Sequence, residues 1–292
     1  MDYSRETIFH LPGIFEKVRV NQKLIWLYEN KPEVFRNNVK IGSFYGAPGC
    51  AIWNGGRFLR GYYTKMELEM AKNFMEERKI PVRFTFTNCM LEEKHLNDTY
   101  CNLILDIFNN GNNEIICNSP ILEKYLREKY GNRYKYISST TKRLNNKDKQ
   151  DAELEKDYYL VVIDYDYNDD DEYLKQIKDK DKVEILCNAV CSPKCPNRTR
   201  HYKSISECQL NFDPDGLFTC EDDKNTFYQI VKSPKFVSVE RIEELTAMGF
   251  KNFKLEGRTS GELDLIDILV YYLIKDEWQG LVRHDMQMSA LT

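Results

Sequence analysis

Short apolar segments of strand character alternate with helical segments along most of the chain, and this alternation constrains the fold more than any other feature. The strand-like segments begin near residues 41, 82, 114, 134, 158, 183, 236 and 253. Between them apolar residues recur at helical spacing, as from Thr64 to Arg78 and from Leu263 to Leu273. Such alternation indicates a parallel sheet with crossover helices. Eight strands close a barrel, whereas a doubly wound sheet has fewer strands and a glycine-rich phosphate turn after the first. The sequence therefore predicts an α/β fold of the (β/α)8 TIM-barrel type.

The organisation of the chain favours one domain over residues 1–292, since no internal repeat or low-complexity linker divides it. Residues 1–38 are expected to lead into the barrel, and residues 187–220 to form a cysteine-rich loop inserted after a late strand. The formal charge of −4 gives the protein no overall positive charge, so the composition does not favour nucleic acid as a partner. No apolar run reaches the roughly 18 residues of a membrane helix, and no secretory leader is apparent. We expect a cytoplasmic protein with no membrane partner.

Five of the nine cysteines lie close together in the sequence, at positions 187, 191, 195, 208 and 220. In a reducing cytosol, grouped thiols are more plausible as metal ligands than as disulfide partners. Pro193 and Pro196 bend the chain around Cys195, so that nearby sulfurs can turn toward one centre. Cys187 reads as a buried residue of the preceding strand and is left out of the ligand set.

The spacing of the other four thiols selects the kind of centre. A zinc ribbon would show two C-x2-C pairs, and the chain has none. One close pair and two distant thiols fit a four-thiolate [4Fe-4S] cluster, with zinc as the alternative metal. The predicted ligands are Cys191, Cys195, Cys208 and Cys220. The competing interpretation is that these are reduced, buried core cysteines.

Polar residues follow nearly every predicted strand, at the end where barrel enzymes carry their chemistry. These positions are Tyr45, Asn88, Asn118, Ser119, Ser139, Thr140, Thr141, Asp164, Cys191, Glu256 and Arg258. Many of them would equally serve as helix caps. Glu256 and Arg258 flank a glycine directly after a buried strand, where a cap needs neither charge. We predict that these two residues are catalytic.

The predicted substrate-binding residues are Arg57, Asn54, Asn88, Asn118 and His201. Asn54 and Arg57 lie in a glycine-rich segment where the backbone can approach a carboxylate or phosphate closely, although an Asn-Gly hairpin turn explains the same residues. His201 follows the close cysteine pair, where it contributes to an anion pocket or belongs to an ordinary polar loop.

Two segments resemble the peptidase U32 (collagenase-like) family. Residues 183–191, Val-Glu-Ile-Leu-Cys-Asn-Ala-Val-Cys, match its strand entering a cysteine loop, and residues 254–258, Lys-Leu-Glu-Gly-Arg, match its more specific late motif. The resemblance implies an iron–sulfur barrel protein with a four-cysteine [4Fe-4S] cluster, in a family whose members support oxygen-independent hydroxylation of RNA bases or of a quinone precursor. Cys191 corresponds to the first clustered cysteine, and Cys195, Cys208 and Cys220 are the candidates for the others.

Three functions follow from these observations. The first is a redox enzyme of the hydroxylase class, in which Arg57 and Arg258 hold a small molecule or RNA substrate and Glu256 orients it or moves a proton. The second is a U32-type peptidase, which is weaker because no H-E-x-x-H motif or serine–histidine–acid order occurs. The third is a non-catalytic partner subunit with a structural cluster.

Overall fold

The fold is a closed barrel of eight parallel strands, seen in a computed structural model that describes residues 1–220 and 226–291. The strands are β1 (Thr7–Pro12), β2 (Val39–Gly46), β3 (Val82–Phe84), β4 (Glu114–Cys117), β5 (Lys135–Ser138), β6 (Leu160–Val162), β7 (Val183–Leu186) and β8 (Asn252–Lys254). Each strand pairs with the next along the chain, and β8 pairs with β1 to close the sheet. The predicted (β/α)8 barrel is confirmed.

Helices pack around the barrel and supply its connections. They are α1 (Val18–Asn30), α2 (Lys65–Glu77), α3 (Thr99–Ile107), α4 (Pro120–Tyr130), α5 (Lys147–Leu154), α6 (Asp171–Gln176), α7 (Arg198–Asn211), α8 (Phe227–Ile230), α9 (Val239–Ala247), α10 (Glu262–Leu273) and α11 (Gln279–Leu291). The helical spacing between Thr64 and Arg78 corresponds to α2, which Thr64 caps together with Glu67. No helix in the described ranges is long and apolar enough to cross a membrane.

The number of strands was predicted correctly, but two of their positions were wrong. Residues 7–12, assigned to a segment leading into the barrel, form β1. The apolar segment beginning at residue 236 is not a strand, because Ser238 already caps α9 by accepting a hydrogen bond from the backbone of Arg241. The segment keeps one backbone hydrogen bond to the barrel, from Val237 to Cys187. A polar residue inside β1, His10, obscured its apolar pattern.

The cysteine-rich segment is also more regular than predicted. Its middle forms α7, so that Cys208 lies in the last turn of a helix and not on a loop. The segment from residue 143 to 156 has the highly charged composition typical of a solvated loop, but it contains α5. Gln150 and Glu153 are buried on α5. The helix therefore packs against the rest of the protein through two polar side chains, and a sequence pattern based on apolar residues does not reveal this packing.

The lower interior of the barrel contains a buried charged layer. The guanidinium of Arg83 lies between the carboxylates of Glu114, at 2.6 Å, and Glu184, and its Nη2 lies 3.0 Å from His10. Burial, followed by Arg83, lowers the pKa of His10 to about 3, so the imidazole is neutral. Burial alone would raise the pKa of Glu184, but Arg83 and the other neighbouring cations lower it to about 2. This layer fills the barrel interior and leaves the mouth at the carboxyl ends of the strands as the accessible end.

Candidate functional site

The loop after β2 folds over the mouth of the barrel. A Cβ atom on Gly55 would lie 2.5 Å from the backbone carbonyl of Thr87, so only glycine permits this approach. The close packing holds Arg57, two residues later, at the mouth. Since all strands pair in parallel, the Asn-Gly hairpin alternative is wrong.

Arg57 and Glu256 form an ion pair across the mouth, with Nη2 and Oε2 3.3 Å apart and each side chain about a fifth exposed. The same carboxylate oxygen accepts a hydrogen bond from the backbone of Val190, at the start of the cysteine segment. Burial alone would lower the pKa of Arg57, but Glu256 raises it above its usual value, which stabilises the charged pair. Two residues predicted from different parts of the sequence are thus brought together.

Arg258 is buried, and its guanidinium is hydrogen-bonded to other residues of the same chain. Its Nη1 donates to Asn54, at 3.0 Å, and to Thr85, at 2.8 Å, and its Nη2 donates to the carbonyl of Gly55, at 2.9 Å. The carboxylate of Glu16 lies 3.6 Å away. Arg258 therefore braces the loop that carries Arg57, and its catalytic role stays a prediction.

The three predicted amide side chains are held by hydrogen bonds within the protein. Asn54 and Asn88 are fully buried, and both tie the loops at the mouth to α7. Neither lines a cavity at the mouth. Asn118 donates to Thr141 at 2.7 Å, and Thr141 does line the mouth. Direct substrate contact by these amides remains untested.

A cavity of about 490 Å³ opens beside the barrel mouth. Its lining includes three of the four predicted metal ligands, Cys191, Cys195 and Cys220, together with His201 and Arg57. Arg57 also lines the mouth itself, so the two spaces adjoin at this side chain. Burial raises the pKa of the Cys191 thiol, while Arg57, the Tyr165 hydroxyl and Arg198 act in the opposite direction.

The fourth predicted ligand lies elsewhere. Cys208 is buried in the last turn of α7, with its sulfur packed against Gly216, and does not line this cavity. All nine cysteines are free. Within residues 1–220 and 226–291, no three His, Cys, Asp or Glu side chains form a group that could hold a metal ion as placed. Three thiols therefore face one space, and the cluster and its ligand set stay a prediction.

Two residues of the site were missed by sequence reasoning. Asn188 anchors the cysteine segment to the end of β8 through the backbone of Glu256. Lys254 points into the mouth, where burial, opposed by Glu184, lowers its pKa to about 8. Both could have been found from the strand pattern, since Asn188 follows β7 closely and Lys254 occupies an inward position of β8.

Comparison with known proteins supports the architecture. No protein-family model matches the chain, and no curated protein matches it. Among solved structures, the chain is similar to the U32 peptidase Mk0906, with 14% sequence identity, a TM-score of 0.54, and coverage of 88% of this chain and 94% of that one. The chain has a U32-type fold. At this identity the likeness concerns the U32-type fold alone, which agrees with the fold implied by residues 183–191 and 254–258.

Proposed function

We propose that this U32-type barrel is a redox enzyme with an iron–sulfur centre, bound by Cys191, Cys195 and Cys220 beside the barrel mouth. The single observation that carries the proposal is that these three thiols line one cavity, which adjoins the mouth at Arg57. Thiolates are the ligands that iron–sulfur clusters and zinc prefer, and the three side chains would have to rearrange within the cavity to hold one centre. Zinc is the alternative metal.

The proposed ligand set omits Cys208, because its sulfur packs against Gly216 and not toward the cavity. A centre with three cysteine ligands leaves one coordination position for another group. Because the cavity meets the mouth at Arg57, a ligand entering from the barrel could reach the cavity. Such a centre supplies one-electron chemistry when it is present.

The residues of the mouth suggest how a substrate is held. Arg57 and Glu256 are partly exposed and oppositely charged, so a polar substrate can replace either partner of the pair. Arg57 would hold a carboxylate or phosphate of a small molecule or RNA. Glu256 would orient a neighbouring donor group or move a proton.

Oxygen-independent hydroxylation is the reaction that we propose to test first. A substrate carbon exchanges its hydrogen for the hydroxyl of an organic acid donor, so the substrate is oxidised by two electrons and the donor is reduced by two. The reaction then consumes neither water nor molecular oxygen. The U32-type fold and the motif at residues 254–258 favour this reaction class as a proposal, since the family includes hydroxylases.

Anaerobic purification tests the metal centre directly. We expect brown protein with iron and acid-labile sulfide, and a visible absorption that bleaches in air. Full-length protein that takes up neither iron nor zinc after anaerobic reconstitution would refute the proposal. Activity is then assayed on a panel of small acids and on RNA, with and without a hydroxylated acid donor.

A U32-type peptidase is the second candidate, because Cys191 and His201 line the same cavity and thiol–imidazole pairs form nucleophiles. Release of labelled peptides from gelatin or casein by metal-free protein, abolished in Cys191→Ser and retained in Cys208→Ser, would favour this function. Metal-dependent activity with no peptide release would favour the redox enzyme.

A further inference from the structure

Lys254 is a buried lysine that faces the barrel mouth and that the proposed function does not use. It is the last residue of β8, in which successive side chains point to opposite faces of the sheet. Phe253 belongs to the hydrophobic core, whereas Lys254 lines the mouth and is only 8% exposed. Barrel enzymes carry their reacting groups at this end of the strands. The fold therefore places a primary amine where a substrate would enter.

The amine of Lys254 is held in place without a hydrogen bond to its nearby carboxylate. Its Nζ lies 3.6 Å from Oε1 of Glu184, which is longer than a hydrogen bond. This oxygen has no hydrogen-bond partner among the described residues, since Arg83 binds the other one. Nζ also lies 4.1 Å from the centre of the Tyr45 ring, whose hydroxyl donates to the carbonyl of Leu255 at 2.5 Å. An ion pair and a fixed ring thus position an amine that is still able to react.

The surroundings of Lys254 favour the neutral amine, which is the nucleophilic form. Burial lowers its pKa to about 8, although the carboxylates of Glu184 and Glu256 oppose this change. The guanidinium groups of Arg83 and Arg258 act in the same direction as burial. At pH 8 about half of such amines are neutral, compared with less than about 1% of lysines with the ordinary pKa near 10.4. Burial and neighbouring cations activate the lysines that form imines with carbonyl substrates in the same way.

The space around the amine restricts the carbonyl compound that can reach it. The mouth cavity has a volume of about 60 Å³, so the reacting carbonyl must belong to a small group. Arg57 lines this cavity as well as the larger one of about 490 Å³ beside it. A guanidinium binds a carboxylate through two parallel hydrogen bonds. A small 2-oxo acid matches both features, with its carbonyl at Lys254 and its carboxylate at Arg57.

We propose that Lys254 forms an imine with the carbonyl carbon of a small 2-oxo acid whose carboxylate is bound by Arg57. The neutral amine adds to the carbonyl carbon, the carbon–oxygen bond breaks, and the oxygen leaves as water with the two protons of the amine. Glu256 lines the same space and can pass these protons. No oxidant, reductant or metal takes part, so this inference goes beyond the proposed function and does not depend on an iron–sulfur centre.

Reductive trapping tests the imine in the full-length, metal-free wild-type protein. Incubation with pyruvate or glyoxylate and cyanoborohydride converts an imine to a stable secondary amine, and peptide mass spectrometry locates it. We expect one adduct per chain, on Lys254, formed at least about tenfold faster than any adduct on Lys251. Lys251 is the matched control, because it lies three residues earlier and its side chain is 37% exposed beside Asp181.

Two substitutions test the roles of the amine and of the guanidinium. Lys254→Arg keeps the positive charge but forms no imine, so trapping should be lost, whereas Lys251→Arg should keep it. Arg57→Gln should raise the pyruvate concentration needed for half-maximal trapping by at least about tenfold, because a charged hydrogen bond is lost. Trapping of acetaldehyde, which has no carboxylate, should be unaffected by Arg57→Gln.

The location of the adduct in the wild type decides the outcome even where Lys254→Arg does not fold. Adducts spread over exposed lysines, with Lys254 unmodified, would overturn the inference and leave Lys254 as a structural partner of Glu184. Trapping on Lys254 that is equal for pyruvate and acetaldehyde, and unchanged in Arg57→Gln, would overturn the assignment of a 2-oxo acid. Neither result affects the proposed metal centre, which depends on the cysteines, so the two failures are distinguishable.

Discussion

Asn188 holds the backbone of Glu256 through both ends of its side-chain amide. Its Nδ2 donates to the Glu256 carbonyl at 3.0 Å, and its Oδ1 accepts from the Glu256 backbone N–H at 2.7 Å. Asn188 is completely buried and lies three residues before Cys191. The amide therefore fixes the start of the cysteine segment to the end of β8, and couples the geometry of the cavity to that of the Arg57–Glu256 pair.

Replacing Asn188 by Ala should destabilise the protein by about 2 kcal/mol, since two buried backbone groups lose their partner. Urea unfolding of the metal-free protein measures this change. Asn30→Ala, which removes an exposed contact at the end of α1, should have little effect. Equal stability of Asn188→Ala and wild type would contradict the anchoring role.

Serine substitutions distinguish the ligands of the proposed centre. Cys191→Ser, Cys195→Ser and Cys220→Ser should each weaken metal binding by more than the roughly 10–100-fold caused by losing an outer partner. Cys208→Ser should keep its metal, because Cys208 packs away from the cavity. Iron and sulfide per chain after identical reconstitution measure the outcome. Loss of metal in Cys208→Ser, with the folded state intact, would restore the four-cysteine assignment.

Gly55→Ala should destabilise the mouth by about 1–3 kcal/mol, because the added methyl group meets the backbone of Thr87. Gly280→Ala is the matched control. Its Cβ would meet nothing within 4 Å, and alanine in α11 should leave stability unchanged or raise it by about 0.4–1 kcal/mol. Thermal and urea unfolding of both variants provide the comparison, and a tolerated Gly55→Ala would argue against the close approach.

Arg83→Met should cost about 3–5 kcal/mol, since it leaves the buried carboxylates of Glu114 and Glu184 without their cation. Lys124→Ala removes an exposed pair with Glu128 and should change stability by less than about 0.5 kcal/mol. Urea midpoints and slopes give both values. A mild effect of Arg83→Met would mean that the carboxylates take up protons and pack as neutral groups.

His10 should make the protein less stable in mild acid. Its pKa falls from 6.5 in the unfolded chain to about 3 in the fold, so between these values the unfolded state binds the extra proton. Between about pH 7 and about pH 5 this lowers the free energy of unfolding by about 2 kcal/mol. His10→Gln should lose that part of the pH dependence, while His284→Gln, at an exposed position of α11, should keep it. Parallel urea titrations at the two pH values decide the outcome.

The strand pattern predicted much of the site as well as the fold. Parallel strands in a closed barrel place their carboxyl ends at one edge, so Tyr45, Thr141 and Glu256 could be assigned to the mouth from the sequence, and all three line it. The strand and helix pattern failed to predict elements that bury polar side chains. β1 contains a buried histidine, and α5 buries polar residues, so neither element has the apolar period expected of it.

The sequence by itself determined the eight-stranded barrel, the edge that carries the polar strand ends and the segment richest in thiols, because each depends on local periodicity and spacing. Only the tertiary structure decided that three thiols share a cavity while Cys208 packs elsewhere. It also decided that the guanidinium of Arg258 is hydrogen-bonded within the protein, whereas Arg57 lines both the cavity and the barrel mouth. Finally, it showed that Asn188 joins the cysteine segment to β8. Those relationships depend on how loops and α7 pack across the barrel. Contacts between residues far apart in the chain are set by packing in three dimensions and leave no period in the sequence.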